Sequence, residues 1–216
     1  VDYSTYSHWH PDHTMGRRIF EMNRDWRNYP PENKMTKVLI PEGVKPGFEE
    51  CLGIIEHLNY FQEINIIDIE TLADGQEYSI GDYLIEAIRL EEDYVYGFII
   101  TDDTTKVLII MDELVGWEVP DGVGQLDLAI LPAGIFDTNP LTGVQNIAGN
   151  HPVLEEECTF IETIEIVKRL NTERIILSHI EEADRLSFDD LKLVEDMYRE
   201  KGIEIEFAYD RMIIEV

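Results

Sequence analysis

Basic residues are scarce in this chain: 17 Lys and Arg stand against 45 Asp and Glu, a formal net charge of −28 over 216 residues. A surface so negative repels polyanions and argues against a nucleic-acid partner. Cysteine is scarcer still. Cys51 and Cys158 are too few and too far apart for a disulfide framework, so reduced thiols and a cytoplasmic location are expected. No apolar run approaches the roughly 20 residues that span a bilayer, and the opening Val1-Asp2-Tyr3 has no basic, signal-like character, so no membrane association is expected. Internal repeats, low-complexity tracts and linkers are missing as well. The acidic excess itself reads as a solvated surface, one suited to a salt-rich interior.

What is present is 44% hydrophobic residues, enough for one α/β domain over 1–216 with a substantial core. The apolar spacing predicts a helix entered at Pro11, with Met15, Ile19, Phe20 and Met22 as its apolar positions, and a second from Pro46 to Phe61 carrying Leu52, Ile55, Leu58 and Phe61. Short strands are predicted at Lys37–Ile40, Ile64–Ile69, Tyr83–Leu90, Tyr94–Thr101 and Lys106–Met111, the last four as an antiparallel meander. From Leu126 onward strands and helices alternate. Strands are expected at 128–131, 174–177, 204–207 and 212–216, with helices at 156–170 and 188–201.

Chemistry concentrates in Ser7-His8-Trp9-His10-Pro11-Asp12-His13, which holds three of the six histidines. A His-x-His pair in extended chain projects both rings to one side, and Asp12-His13 turns back toward them from the following loop. Imidazole with carboxylate suits zinc, manganese or iron, and two His/Asp sets in so short a run point to two adjacent ions. Three further residues stand at element ends. Asp112 follows the buried run Val107–Met111, where a carboxylate either faces a site or starts a turn. His179 follows Arg174–Ser178 and is expected to be a ligand, whereas His151, on the loop Gly149–Pro152, either acts on substrate or simply belongs to a turn polarised by Asn150 and Pro152. His57 has no ligand-like company and reads as an ordinary helix residue. Arg17 and Arg18 either contact a phosphate or form a solvated face.

The order His-x-His-x-Asp-His, then Asp112 and His179 at later strand ends, resembles the metallo-β-lactamase superfamily over nearly the whole chain. Tyr96-Gly97-Phe98, Asn150-His151, Leu177-Ser178-His179-Ile180-Glu181 and Phe207–Met212 make it most similar to the branch containing the phosphoribosyl 1,2-cyclic phosphate phosphodiesterase. The resemblance implies an α/β fold, the αββα sandwich. It places His8 and His10 on a first metal, Asp12, His13 and His179 on a second, and Asp112 between them, with His151 near the substrate as proton donor. Asp12 and His151 are thereby the catalytic candidates.

Two departures qualify the match. The superfamily supplies another His to the first metal about twenty residues before the bridging Asp, where this chain reads Leu90-Glu91-Glu92-Asp93-Tyr94; Glu91 aligns with that ligand, and a carboxylate there favours manganese over zinc. The several strands that normally precede the His-rich run are also missing, so the fold is expected to be incomplete at its amino end. Either an amino-terminal segment outside this sequence or a second copy in a homo-oligomer would then cover a sheet edge.

The expected activity is metal-dependent hydrolysis of a small or cyclic phosphodiester, by a water that two zinc or manganese ions bridge and acidify. The partner would be a small-molecule phosphate ester. The same chemistry serves thioester, lactone or amide hydrolysis, and a catalytically silent metal-binding protein is the reading from another class.

Overall fold

The computed structural model describes residues 1–180 and 185–216; Glu181, which the sequence match included, lies outside them. The chain forms two compact units, Val1–Tyr78 with Glu86–Gly97, and Ser79–Ile85 with Phe98–Val216.

The first unit is built on a parallel sheet of β1 (Tyr3–Thr5), β2 (Thr36–Pro41) and β3 (Ile67–Leu72), in that order. Val38, Leu39 and Ile40 are all buried, as expected for a parallel strand covered on both faces. The pairing Val38↔Ile69 is parallel, so β3 does not belong to the antiparallel meander expected for it. After β1 come a single helical turn, α1 (Pro11–Thr14), and a 3-10 stretch over Met15–Asn23. The expected α-helical face is not realised here. Met15, Ile19 and Met22 are exposed, while Phe20 and Asn23 are buried together, because three residues per turn align positions i and i+3. The Asn23 amide then bonds the Thr36 hydroxyl and the Ile66 carbonyl, each at 2.8 Å.

The helix expected over 46–61 is two helices, α2 (Val44–Glu50) and α3 (Ile54–Glu63). The chain turns left-handed at Leu52 and Gly53, a conformation that interrupts any right-handed helix and leaves Leu52 exposed. Ile54, Leu58 and Phe61 then form the buried face of α3 at helical spacing.

The second unit holds most of a seven-stranded sheet in the order β12-β11-β9-β7-β6-β5-β4, of which Glu77–Tyr78, Glu86–Arg89 and Tyr96–Gly97 are counted in the first unit. Its strands are β4 (Glu77–Ile80), β5 (Tyr83–Arg89), β6 (Tyr96–Thr101), β7 (Lys106–Ile109), β9 (Leu128–Pro132), β11 (Ile175–Ser178) and β12 (Glu206–Phe207). A separate parallel pair joins β8 (Gln125–Leu126) to β10 (Asn171–Thr172). Strands β6 and β7 form an antiparallel hairpin, and the Asp102 carboxylate accepts the Thr104 and Thr105 N–H groups at its turn. Strands β7, β9, β11 and β12 are parallel neighbours.

Helices α4 (Val153–Glu156), α5 (Phe160–Val167) and α6 (Phe188–Glu200) complete this unit. Reciprocal Thr159/Glu162 and Ser187/Asp190 capping boxes start α5 and α6. The Thr159 box begins α5 later than the expected residue 156, and the segment before it forms the separate turn α4. Phe136 stacks on Phe160 at 4.3 Å at the heart of the unit's core. Residues 212–216, expected as a strand, form none. Among the described residues no helix is long and apolar enough to cross a membrane.

Candidate metal centre

In the first unit the His-rich run leaves β1 and is held from both sides. Tyr6 is buried against Phe48, with ring centroids 5.1 Å apart, and the Tyr96 N–H donates to the Ser7 carbonyl at 2.9 Å. Burial pushes the Tyr6 hydroxyl up to about 12, against the pull of the nearby Arg17 charge. Trp9 lies so close to Gly47 that a Cβ there would come within 2.3 Å of its ring. A glycine is therefore what lets the run settle onto α2. With Tyr6 and Trp9 fixed, His8 and His10 on either side of Trp9 lie side by side, ring centroids 4.5 Å apart.

His8 is fully buried, and its Nδ1 lies 3.1 Å from the Ser7 hydroxyl, which makes Nε2 the ring atom that could ligate a metal. Pro11 then opens α1, and the His10 carbonyl accepts both the His13 N–H at 3.1 Å and the Thr14 hydroxyl at 3.0 Å. That turn brings the His13 ring to 4.2 Å from His8, and His13 Nε2 lies 3.0 Å from an Asp12 carboxylate oxygen. The run's four candidate ligands, His8, His10, Asp12 and His13, thus all lie within this unit. Glu91 is exposed on the turn closed by the Leu90 N–H to Val95 carbonyl bond of 2.9 Å. The residue of that turn standing beside His10 is Tyr94, 6.1 Å away between ring centroids and also packed against Trp9.

In the second unit, register alone brings the other two candidates together. Ile109 is level with Ile130, and Pro132 with Ser178. Continuing each strand places Asp112 and His179 level with Ala133, at the carboxyl edge of three parallel strands, where open α/β sheets carry their sites. Asp112 Oδ1 lies 3.8 Å from His179 Nδ1. Asp112 is buried, 8% exposed, and His179 takes a left-handed φ of 54°, a strained conformation for a non-glycine residue. Both line a small cavity of about 20 Å³ with Glu113, Leu114, Pro132, Gly134, Ile135, Glu157 and Cys158.

Glu113 carries no signal in the sequence beyond following Asp112, yet one of its carboxylate oxygens accepts the N–H groups of Leu114, Val115 and Cys158. It ties the Asp112 loop to the start of α5. Cys158 also faces the cavity, and burial pushes its thiol up to about 12, so it stays protonated at neutral pH. His151 is exposed on its loop, with its Nδ1 accepting the Val153 N–H at 3.2 Å. The neutral ring in that arrangement carries its proton on Nε2.

In each unit the donor types fit a divalent cation. Imidazoles paired with carboxylates at 3.0 and 3.8 Å are borderline ligands of the kind zinc, manganese and iron accept, and His8, Asp12, His13, Asp112 and His179 are candidate ligands.

No protein-family profile and no curated protein matches this sequence. Solved structures do match. The metallo-beta-lactamase fold protein YhfI from Bacillus subtilis aligns with 100% of this chain and 78% of its own, at TM-score 0.63 and 15% identity. A diphosphatase of the PhnP family aligns with 100% of this chain and 72% of its own, at TM-score 0.65 and 15% identity. Zn(2+)-bound PqqB from Methylobacterium extorquens aligns with 100% and 71%, at TM-score 0.62 and 9% identity. At such identities the likeness establishes the fold alone: this chain has the metallo-β-lactamase fold.

Proposed function

We propose that this chain is a metal-dependent hydrolase of a small or cyclic phosphodiester, working with two divalent cations, zinc or manganese. The observation that carries this reading is the pairing of Asp112 and His179 at one sheet edge, in a chain whose other candidate ligands crowd together in Ser7–His13. The similarity to a PhnP-family diphosphatase favours a phosphate ester over a carbonyl substrate.

In this reading His8 and His10 would hold one cation, Asp12, His13 and His179 would hold the other, and Asp112 would be shared. Glu91 is an outer candidate for the first cation, and a lower metal content in Glu91→Gln would place it there. When bound, divalent cations neutralise charge building on phosphoryl oxygens and bring the pKa of water toward neutrality. The protein's own groups supply the remainder. Asp12 and His13 would present their carboxylate oxygen and Nε2, 3.0 Å apart, to the same cation, and Glu113 fixes the loop that carries Asp112. In its protonated form His151 would give a proton to the departing alkoxide and return to the neutral ring.

The test is hydrolysis of bis(p-nitrophenyl) phosphate against a thioester with added manganese or zinc. Preference for the diester is expected, and preference for the thioester would overturn the substrate class. His151→Ala should keep its metal and lose turnover by about 10²-fold or more, least for good leaving groups. Loss of metal in that variant would contradict the role of His151.

A further inference from the structure

Arg17 and Arg18 follow the ligand run as an apparent basic pair, but the structure separates them. The Arg18 side chain is 79% exposed, whereas Arg17 is half-buried beneath the run. We propose that Arg17 is a positioning residue for the ligand turn His10–Thr14, a role that rests on the metal-centre reading above.

One guanidinium makes two bonds. Its Nε–H donates to His57 Nδ1 on α3 at 3.1 Å, and its Nη1–H donates to the Thr14 carbonyl at 3.0 Å. Thr14 in turn donates its hydroxyl to the His10 carbonyl, the same oxygen that accepts the His13 N–H. At the far end the His57 ring packs on Phe61 at 4.2 Å, and Phe61 is fully buried. A continuous chain of bonds therefore runs from the core of α3 to the backbone that sets the His10 and His13 rings.

The need for such a tie follows from local structure. A four-residue turn has no stability of its own, and the 3-10 stretch after it leaves Met15, Gly16 and Ile19 exposed. Between Pro11 and Phe20 only Thr14 and Phe20 are buried. The planar guanidinium presents two donors at a fixed angle, one for each acceptor. A lysine ammonium is a point charge on a flexible stem and does not reproduce that fork.

The experiment uses the full chain loaded with Co(II), reading its d–d spectrum and its affinity, with thermal unfolding of the metal-free protein as control. Arg17→Met and His57→Leu should each weaken cobalt binding about tenfold or more and shift the d–d bands, and Arg17→Lys should fall between. His57→Asn, whose side-chain oxygen stands near the place of Nδ1 and still accepts a bond, should keep the wild-type spectrum. Wild-type affinity and bands in Arg17→Met, whatever its unfolding temperature, would overturn the role, as would His57→Asn behaving like His57→Leu. A wild-type chain that takes up no cobalt would overturn the metal-centre reading, and this role with it.

Discussion

His57 accepts the Arg17 bond only while its ring is neutral, and its surroundings keep it so. Burial first, then the positive charge of Arg17 and Arg18, hold its pKa below the ordinary 6.5, with Glu21 pulling the other way. Because the folded pKa is depressed, the unfolded chain binds the proton more readily. The stabilisation is complete above about pH 6.5 and is lost as pH falls through the lower folded value. His57→Asn has no such group, so the thermal midpoint of the metal-free wild type should fall relative to that variant between about pH 7.5 and 5. A midpoint difference that stays constant over the range would contradict the account. At this scale the sequence exposes the residues whose chemistry is stated by type and spacing: the three imidazoles of the run, and Asp112 and His179 at strand ends. Glu113 and Thr14 are not legible in the same way. Their partners are backbone groups, and that of Glu113 on Cys158 is brought near only by tertiary pairing.

Among the elements, β12 is two residues long and depends on α6. Glu195 on α6 is 4% exposed; its carboxylate accepts the Phe207 N–H at 2.8 Å and is paired with Lys192 at 2.8 Å. Glu195→Ala leaves that buried N–H without an acceptor and should cost about 2–3 kcal/mol in urea unfolding. Glu195→Gln, which can still accept, should cost less, and equal losses in the two variants would show that packing rather than the bond is at work. Strands β2, β9 and β11 are readable as short apolar runs, since parallel strands buried on both faces need no alternation. The helices of the first unit are harder. Nothing in the spacing of Leu52, Ile55, Leu58 and Phe61 announces the left-handed break at Leu52–Gly53, and the Met15–Asn23 spacing fits an α-helix until the 3-10 geometry selects Phe20 and Asn23.

For the molecule as a whole, the order of motifs along the chain carries the fold: a His-rich turn after a first short strand, then ligand types at the carboxyl ends of β7 and β11. A net charge of −28 makes captured cations favourable partners while disfavouring polyanions. The central claim is that this protein holds a cation pair on residues drawn from both ends of its sequence. Native mass spectrometry of the full chain, loaded with manganese or zinc and freed of excess metal, tests it most directly. Two ions per wild-type chain are expected, and fewer in Asp112→Asn; a wild-type chain that retains one or none would contradict the pair.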